Sequence, residues 1–289
     1  MSETPPNSYG ALVGAVAERL RSAGLPDARQ EARFLVSGAL EIAPGQLSVH
    51  PERPVAADQA GHVLALAMRR AAREPLSRLL GQRGFLDMEL ALGPDTLDPR
   101  PETELLVDAA CRLAEQAWGD RPLRILDLGT GTGCILIGVL RARPGDHGIG
   151  IDIAPGAVAV AQDNAQRWGV ADRASFQLGD WASGLDGPFD LVLSNPPYIP
   201  SADIAALEPE VRDHDPRLAL DGGDDGLAAY RLLAEQVPAL LASGGFLLVE
   251  IGENQGKAVR NLFTAVGLGP YGEVEDFSGK ERCILSRKD

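Results

Sequence analysis

Along residues 8–24, Leu12, Val13, Val16 and Leu20 recur on one face at helical spacing, so this stretch predicts an amphipathic helix. A second helix is predicted to open at Asp27, with Gln30 three residues on completing a capping box. Val55 to Arg73 predicts another, striped by Val63, Leu64 and Ala67. Residues 1–80 therefore read as a small helical bundle, and they hold no cluster of titratable groups suited to chemistry. The period then changes. Leu86, Met88, Leu90 and Leu92 alternate with Asp87, Glu89 and Ala91, the pattern of a half-exposed strand, which predicts a short hairpin near 83–95 within a linker 81–100. From about 102 onward short apolar runs alternate with helical stretches, predicting an α/β domain over 101–289 with a parallel sheet covered on both faces. Strands are expected near 123–128, 148–152, 174–178, 189–194 and 245–251. Two more are expected in the tail, around Tyr271-Gly272-Glu273-Val274 and Arg282-Cys283-Ile284-Leu285. The one long irregular stretch, 199–226, is rich in Asp, Pro and Gly, and a connection of that length is usually functional.

Composition narrows the function classes. The chain has 289 residues, 45% of them hydrophobic, without a run approaching the ~18 apolar residues of a membrane span. The start, Met1-Ser2-Glu3-Thr4-Pro5-Pro6, has neither a basic n-region nor an apolar h-region, so a cytoplasmic location is expected. Cys111, Cys134 and Cys283 show no paired spacing and the four histidines are scattered, which argues against a disulfide framework or a zinc site. Net charge is −14, unfavourable for strong non-specific binding to nucleic acid. Residues 1–80 are nearly neutral, with nine Arg against eight Asp or Glu, and the acidic excess lies in the remainder. A protein partner suits that balance better than a bare duplex.

The candidate chemistry sits at strand ends. Asn195-Pro196-Pro197-Tyr198 follows the apolar run Phe189–Ser194, placing an amide and a phenol where open α/β sheets bind ligands. The prolines fix the backbone and donate no N–H, so nearby carbonyls face outward as acceptors. Such a pocket suits a flat group with two N–H donors, an amide or an exocyclic amine; the bland alternative is a Pro-rich turn. Upstream, Gly129-Thr130-Gly131-Thr132-Gly133 links the 123–128 strand to a helix beginning at Cys134. The dinucleotide fingerprint G-x-G-x-x-G fails in both registers, its third glycine falling on Cys134 or Leu136. The G-x-G-x-G form is instead associated with S-adenosylmethionine, which has no pyrophosphate to cradle. Asp152 ends the next strand, where a carboxylate can accept from both ribose hydroxyls of an adenosine; its alternative is a helix cap. Asp180 and Trp181 follow the 174–178 strand and suit an adenine amine and its ring face, although Trp181 would serve equally in the core.

Together these segments make the chain similar to the HemK family of protein-(glutamine-N5) methyltransferases. The resemblance covers nearly the whole length: Glu74-Pro75-Leu76-Ser77-Arg78-Leu79-Leu80-Gly81, Asp98-Pro99-Arg100-Pro101-Glu102-Thr103-Glu104, Asp127 to Gly133, Asp180-Trp181, Ser194 to Ile199, and Leu218 to Leu227. Asn-Pro-Pro-Tyr alone also occurs in DNA adenine and some RNA methyltransferases; its combination with Pro-Arg-Pro-Glu-Thr-Glu is far more specific. Two positions depart from the family pattern, Asp98 where an apolar residue is usual and His214-Asp215-Pro216 where aromatic-Glu-Pro is usual. The resemblance implies a seven-stranded, Rossmann-like class I S-adenosylmethionine-dependent methyltransferase domain behind a helical substrate-docking domain, acting as a monomer. It implies methyl transfer to the glutamine of the Gly-Gly-Gln loop in class I peptide-chain release factors, leaving S-adenosylhomocysteine, without a metal or stable nucleic-acid or membrane binding. Gly129, Thr130, Gly131, Thr132, Gly133, Asp152, Asp180, Trp181 and Asn195 would hold the donor. Asn195, Pro196, Pro197 and Tyr198 would hold the glutamine, with Asn195, Pro196 and Tyr198 catalytic. The competing expectations are a ribosomal-protein glutamine methyltransferase and a nucleic-acid adenine or guanine methyltransferase, the second without a recognisable base-reading domain here.

Overall fold

Apolar stripes in the first eighty residues close around one core. The computed structural model describes residues 6–289; residues 1–5, on which most of the expectation about the start of the chain falls, lie outside the described residues. Two units divide at Gly81. The first holds α1 (Tyr9–Ser22), α2 (Ala28–Ala39), α3 (Pro44–Val49), α4 (Ala57–Ala71) and α5 (Leu76–Leu80). Leu12, Val16, Leu20, Leu35, Val36 and Val63 are fully buried among them. Ser8 caps α1, its Oγ accepting from the Ala11 N–H at 3.4 Å. The expected capping box at α2 does not form. Asp27 adopts a left-handed backbone (φ 49°), whereas a capping side chain needs an extended one, and only the Asp27 backbone carbonyl accepts from Gln30 and Glu31. Helices α3 and α5 are too short to display a period, which is why the pattern does not predict them.

The second unit opens with the hairpin β1 (Gln82–Phe85) and β2 (Met88–Ala91). The expected strand across 86–92 breaks because Leu86 occupies the turn, at φ 54° and 44% exposed. The hairpin is no free linker: Phe85, Met88 and Leu90 are buried in the core of this unit, and Asn164 bonds both the Ala91 N–H (2.8 Å) and its carbonyl (3.1 Å).

There follow α6 (Thr103–Trp118), β3 (Arg124–Leu128), α7 (Cys134–Ala142), β4 (His147–Asp152), α8 (Pro155–Arg167), β5 (Ala174–Leu178) and β6 (Phe189–Ser194). The short α9 (Pro209–Arg212) precedes α10 (Ala228–Leu240), β7 (Leu241–Glu250), α11 (Gly256–Ala265), β8 (Leu268–Glu275) and β9 (Glu281–Lys288). Seven strands form one sheet in the order β5-β4-β3-β6-β7-β9-β8, with β9 antiparallel to both of its neighbours and the remaining pairings parallel. Strands β3 and β6 read as continuous apolar runs because helices cover the sheet on both sides. One core lies with α6, α7 and α8, and the other with α10 and α11. Strand β7 starts earlier than expected, since Leu241 pairs Phe189 across an irregular register that the Ser243-Gly244-Gly245 sequence does not advertise. Chain order reverses between β3 and β6, and a crevice opens at the carboxyl ends of strands where that happens.

Candidate active site

Two loops leave the sheet at that reversal, one after β3 and one after β6. Gly129, Gly131 and Gly133 all have positive φ, a backbone that side chains resist, and the loop is pinned by the Gly129 and Thr130 N–H groups donating to Ile151 O at 2.9 Å. Ser194 ties β6 to β3 through a 2.7 Å bond to Leu128 O. Above these strand ends lies a cavity of about 340 Å3. Gly129, Thr130, Gly131, Thr132, Asp152, Asp180, Trp181, Asn195 and Pro197 line it, together with Arg100 and Thr103. Gly133 does not. It caps α7, and a Cβ there would meet Ile137 Cδ1 at 2.9 Å and Phe176 Cζ at 3.2 Å, so its work is packing. Trp181 lines the cavity and also packs on the core beside α10.

Asp152 is engaged on both oxygens: Oδ2 accepts from Gly131 N–H (2.8 Å) and Oδ1 from Ala154 N–H (3.0 Å). An ionised carboxylate offers about four acceptor positions, so two remain. Beneath the loop Asp127 is fully buried, with Oδ2 2.6 Å from the Thr130 hydroxyl. Burial pushes its carboxyl up to about 7, against the opposing pull of that hydroxyl.

A second cavity, about 260 Å3, adjoins the same turn and is lined by Pro196, Tyr198, Ile199, Glu102, Glu250 and Arg282 among others. Asn195 and Arg100 belong to both walls. The tetrapeptide is thus divided: Pro197 faces the first cavity, Pro196 and Tyr198 the second, and Asn195 both. Burial pushes the Tyr198 phenol up to about 12, with the Glu250 charge adding to the effect.

Several residues that sequence reasoning passed over hold this turn. Gln255 donates to Tyr198 O (3.0 Å) and Gly226 O (3.1 Å) while accepting from Gly252 N–H (2.9 Å). The backbone packs so closely that a Cβ on Gly222 would lie 2.9 Å from Tyr198 Cα. That contact is the physical content of the Gly-Gly-x-x-Gly stretch. The long 199–226 segment walls both cavities through Ala219. It is anchored by Asp215 to Arg100 at 2.7 Å, so Asp215 serves in the departing His214-Asp215-Pro216 triplet. The other departure, Asp98, is buried 3.4 Å from Arg83 Nε on β1. Glu104 accepts from the Leu86 N–H at 2.7 Å and holds the hairpin turn.

The strand order, with a glycine loop after β3 and an Asn-Pro-Pro-Tyr turn after β6, defines a methyltransferase of the class I fold. Residues 12–81 match the family model described as PrmC N-terminal domain, and 120–265 match one described as methyltransferase domain. A release factor glutamine methyltransferase of Rhodospirillum rubrum is 54% identical over 96% of this chain and 85% of its own length. Relatives of that name from Cereibacter sphaeroides and Caulobacter vibrioides are 45% and 42% identical over 94% and 95% of the chain, covering 96% and 94% of their own lengths. Among solved structures, the hMettl16 catalytic domain superposes with a TM-score of 0.54 at 14% identity, over 79% of this chain and 81% of that one. A ribosomal protein L11 methylase of Lactobacillus delbrueckii gives 0.50 at 20%, over 72% and 89%; both likenesses concern the fold alone. The chain belongs to the family of release factor glutamine methyltransferases.

Proposed function

We propose that the protein transfers a methyl group from S-adenosylmethionine to the side-chain amide nitrogen of the glutamine in the Gly-Gly-Gln loop of class I peptide-chain release factors. The observation that carries this reading is Asn195 standing in the wall between two cavities, one suited to the donor and the other to a flat amide.

The first cavity fits the donor. Asp152 retains acceptor capacity for two ribose hydroxyls, and Trp181 and Asp180 offer a ring face and an acceptor for adenine. Asp95, Asp152, Asp180 and Asp221 line the cavity against Arg100, a negative wall suited to a cationic ligand. When bound, S-adenosylmethionine supplies a methyl group already activated on a sulfonium, so the residues need not activate it.

The acceptor sets the harder task, because an amide nitrogen's lone pair is delocalised into its carbonyl. Asn195 Oδ1 and the Pro196 carbonyl accept from the two amide hydrogens, aim the nitrogen at the first cavity and stabilise positive charge growing on it. Tyr198, held neutral by burial, packs on the flat amide. Fixing the reacting atoms in line contributes several kcal/mol by itself. No dedicated base is required, since the methylated nitrogen sheds its proton to water.

The helical unit serves in this reading as a second contact for a large folded substrate, and the enzyme works in the cytoplasm as a monomer. Among the described residues no helix is long and apolar enough to cross a membrane. The test incubates the protein and labelled donor with a release factor, with ribosomal proteins and with DNA. Label on the Gly-Gly-Gln glutamine is expected; label on a ribosomal protein or DNA alone overturns the reading.

A further inference from the structure

The function proposed above assigns a task to Asn195 but leaves open what turns its amide the right way. An asparagine side chain is nearly symmetric in shape, and a rotation of 180° exchanges its carbonyl for its NH2. With the NH2 facing the acceptor amide, two donors would meet and the site would repel its substrate.

The neighbours of Asn195 select one orientation. Asn195 Nδ2 lies 3.1 Å from Thr103 Oγ1. The Thr103 hydroxyl in turn donates to Glu250 Oε2 at 2.7 Å. The Asn195 side chain also favours the ionised form of the Glu250 carboxyl. Thr103 and Glu250 are each only 2% exposed, so water does not compete for these bonds. Their placement follows from the fold: Ser194 pairs Val249 in the sheet, which sets Asn195 beside Glu250 at adjacent strand ends, and Thr103 begins α6.

The logic is one of donors and acceptors. A carboxylate only accepts, so the Thr103 proton must point at Glu250. The Thr103 oxygen is then left with lone pairs alone and accepts from Asn195. Asn195 must therefore present its NH2 to Thr103, and its carbonyl turns to the acceptor. We propose that Thr103 and Glu250 are positioning residues for methyl transfer, a two-bond relay that fixes the Asn195 amide with its carbonyl toward the substrate. This rests on the proposed glutamine acceptor, and it gives the threonine of the Pro-Arg-Pro-Glu-Thr-Glu stretch a task.

The relay works in one direction only while Glu250 is ionised. Burial pushes its carboxyl up to about 7; Thr103 and Asn195 oppose the rise. Of the other groups facing it, Glu102 raises it and Arg282 lowers it, while the Tyr198 and Tyr230 hydroxyls and the Cys134 and Cys283 thiols stay neutral near pH 7. Once protonated, Glu250 donates to Thr103, Thr103 becomes free to donate to Asn195, and the flipped amide is no longer excluded.

The test uses the full chain, labelled donor and intact release factor. Thr103→Val keeps the shape and removes the relay; kcat at pH 8 is expected to fall about tenfold or more, the loss of one oriented polar contact. KM for the donor should stay within about threefold, and Thr103→Ser should recover most of the rate. In the parent, kcat should decline as pH falls through about 7; that inflection should vanish in T103V and in Glu250→Gln, whose amide cannot change protonation. E250Q carries the test by itself should T103V unfold. A T103V enzyme with kcat within about twofold of the parent, or an E250Q enzyme that keeps the inflection, overturns the relay. A parent that leaves release factor unmethylated refutes the underlying reading instead.

Discussion

Both units bury matched ion pairs, and the catalytic unit buries carboxylates without a matched cation as well. In the helical unit Arg70 is 7% exposed and meets Glu31 in a two-pronged pair, with Nε–Oε2 at 2.6 Å and Nη2–Oε1 at 3.1 Å. In the catalytic unit Asp127 and Glu250 are buried against hydroxyl groups, Thr130 and Thr103, and both carboxyls are raised to about 7. A matched pair tolerates burial and holds helices together. A carboxylate among neutral donors opposes its own ionisation, and proteins keep such groups mostly where chemistry uses them. That difference accords with the chemistry proposed at the strand ends and with a structural or docking task for the bundle.

The sharpest way to break this contrast is at the reacting centre. Asn195→Ala is expected to lower the methyl-transfer rate by ~10²–10³ while donor affinity changes only a few-fold, because the acceptor oxygen acts on the nucleophile. Rates within threefold of the parent would remove Asn195 from the mechanism.

Next comes the cost of the unmatched carboxylate. The unfolded chain releases the Asp127 proton near its ordinary value of 3.8, and the folded protein keeps it to about 7. The folded state binds more protons across that window, so stability should decline as pH rises from about 4 to 7. Asp127→Asn should abolish this share, at most roughly 4 kcal/mol. Urea unfolding of both proteins at several pH values measures it, and parallel pH profiles would show that Asp127 is ionised throughout.

On the other side of the comparison, Arg70→Ala should cost about 2 kcal/mol of stability, below the full value of a broken buried pair because Glu31 is 24% exposed and regains water. kcat on a short Gly-Gly-Gln peptide should be unchanged. A fall in that kcat with stability intact would give the bundle a part in the chemistry.

The smallest expected effect concerns docking. Removing residues 1–80 should raise KM for intact release factor about tenfold, roughly 1.4 kcal/mol, while the feeble rate on a short peptide stays level. Thermal unfolding first establishes that the truncated chain is folded. Equal efficiency on intact factor would reduce the bundle to a structural appendage.

Much of this is legible in the amino-acid sequence. Strands β4, β5 and β6 fall within a residue of their expected positions, β6 because a strand buried on both faces is a nearly uninterrupted apolar run between turn residues. The hairpin lies where expected, but strict alternation counts polarity alone and is blind to the positive φ that puts Leu86 in its turn. The Asp27 capping box failed for the same kind of reason, its spacing right and its backbone wrong. Gly133 shares the composition of its loop neighbours, but it points into packing rather than the cavity.

By itself the sequence determined the elements, their alternation and the residues at their ends, since periodicity, loop glycines and the Asn-Pro-Pro-Tyr turn are local properties of the chain. Only the tertiary structure decided which ends meet. Asn195, Thr103 and Glu250 are far apart in sequence, and β6 and β7 become neighbours only through the strand order. Burial, too, exists only after folding: Asp127 and Glu250 look like any acidic residues in the chain. Their raised affinity for protons arises because the packed sheet and helices take water away, a cost that the neighbouring hydroxyls and, at Glu250, the Arg282 charge offset only in part.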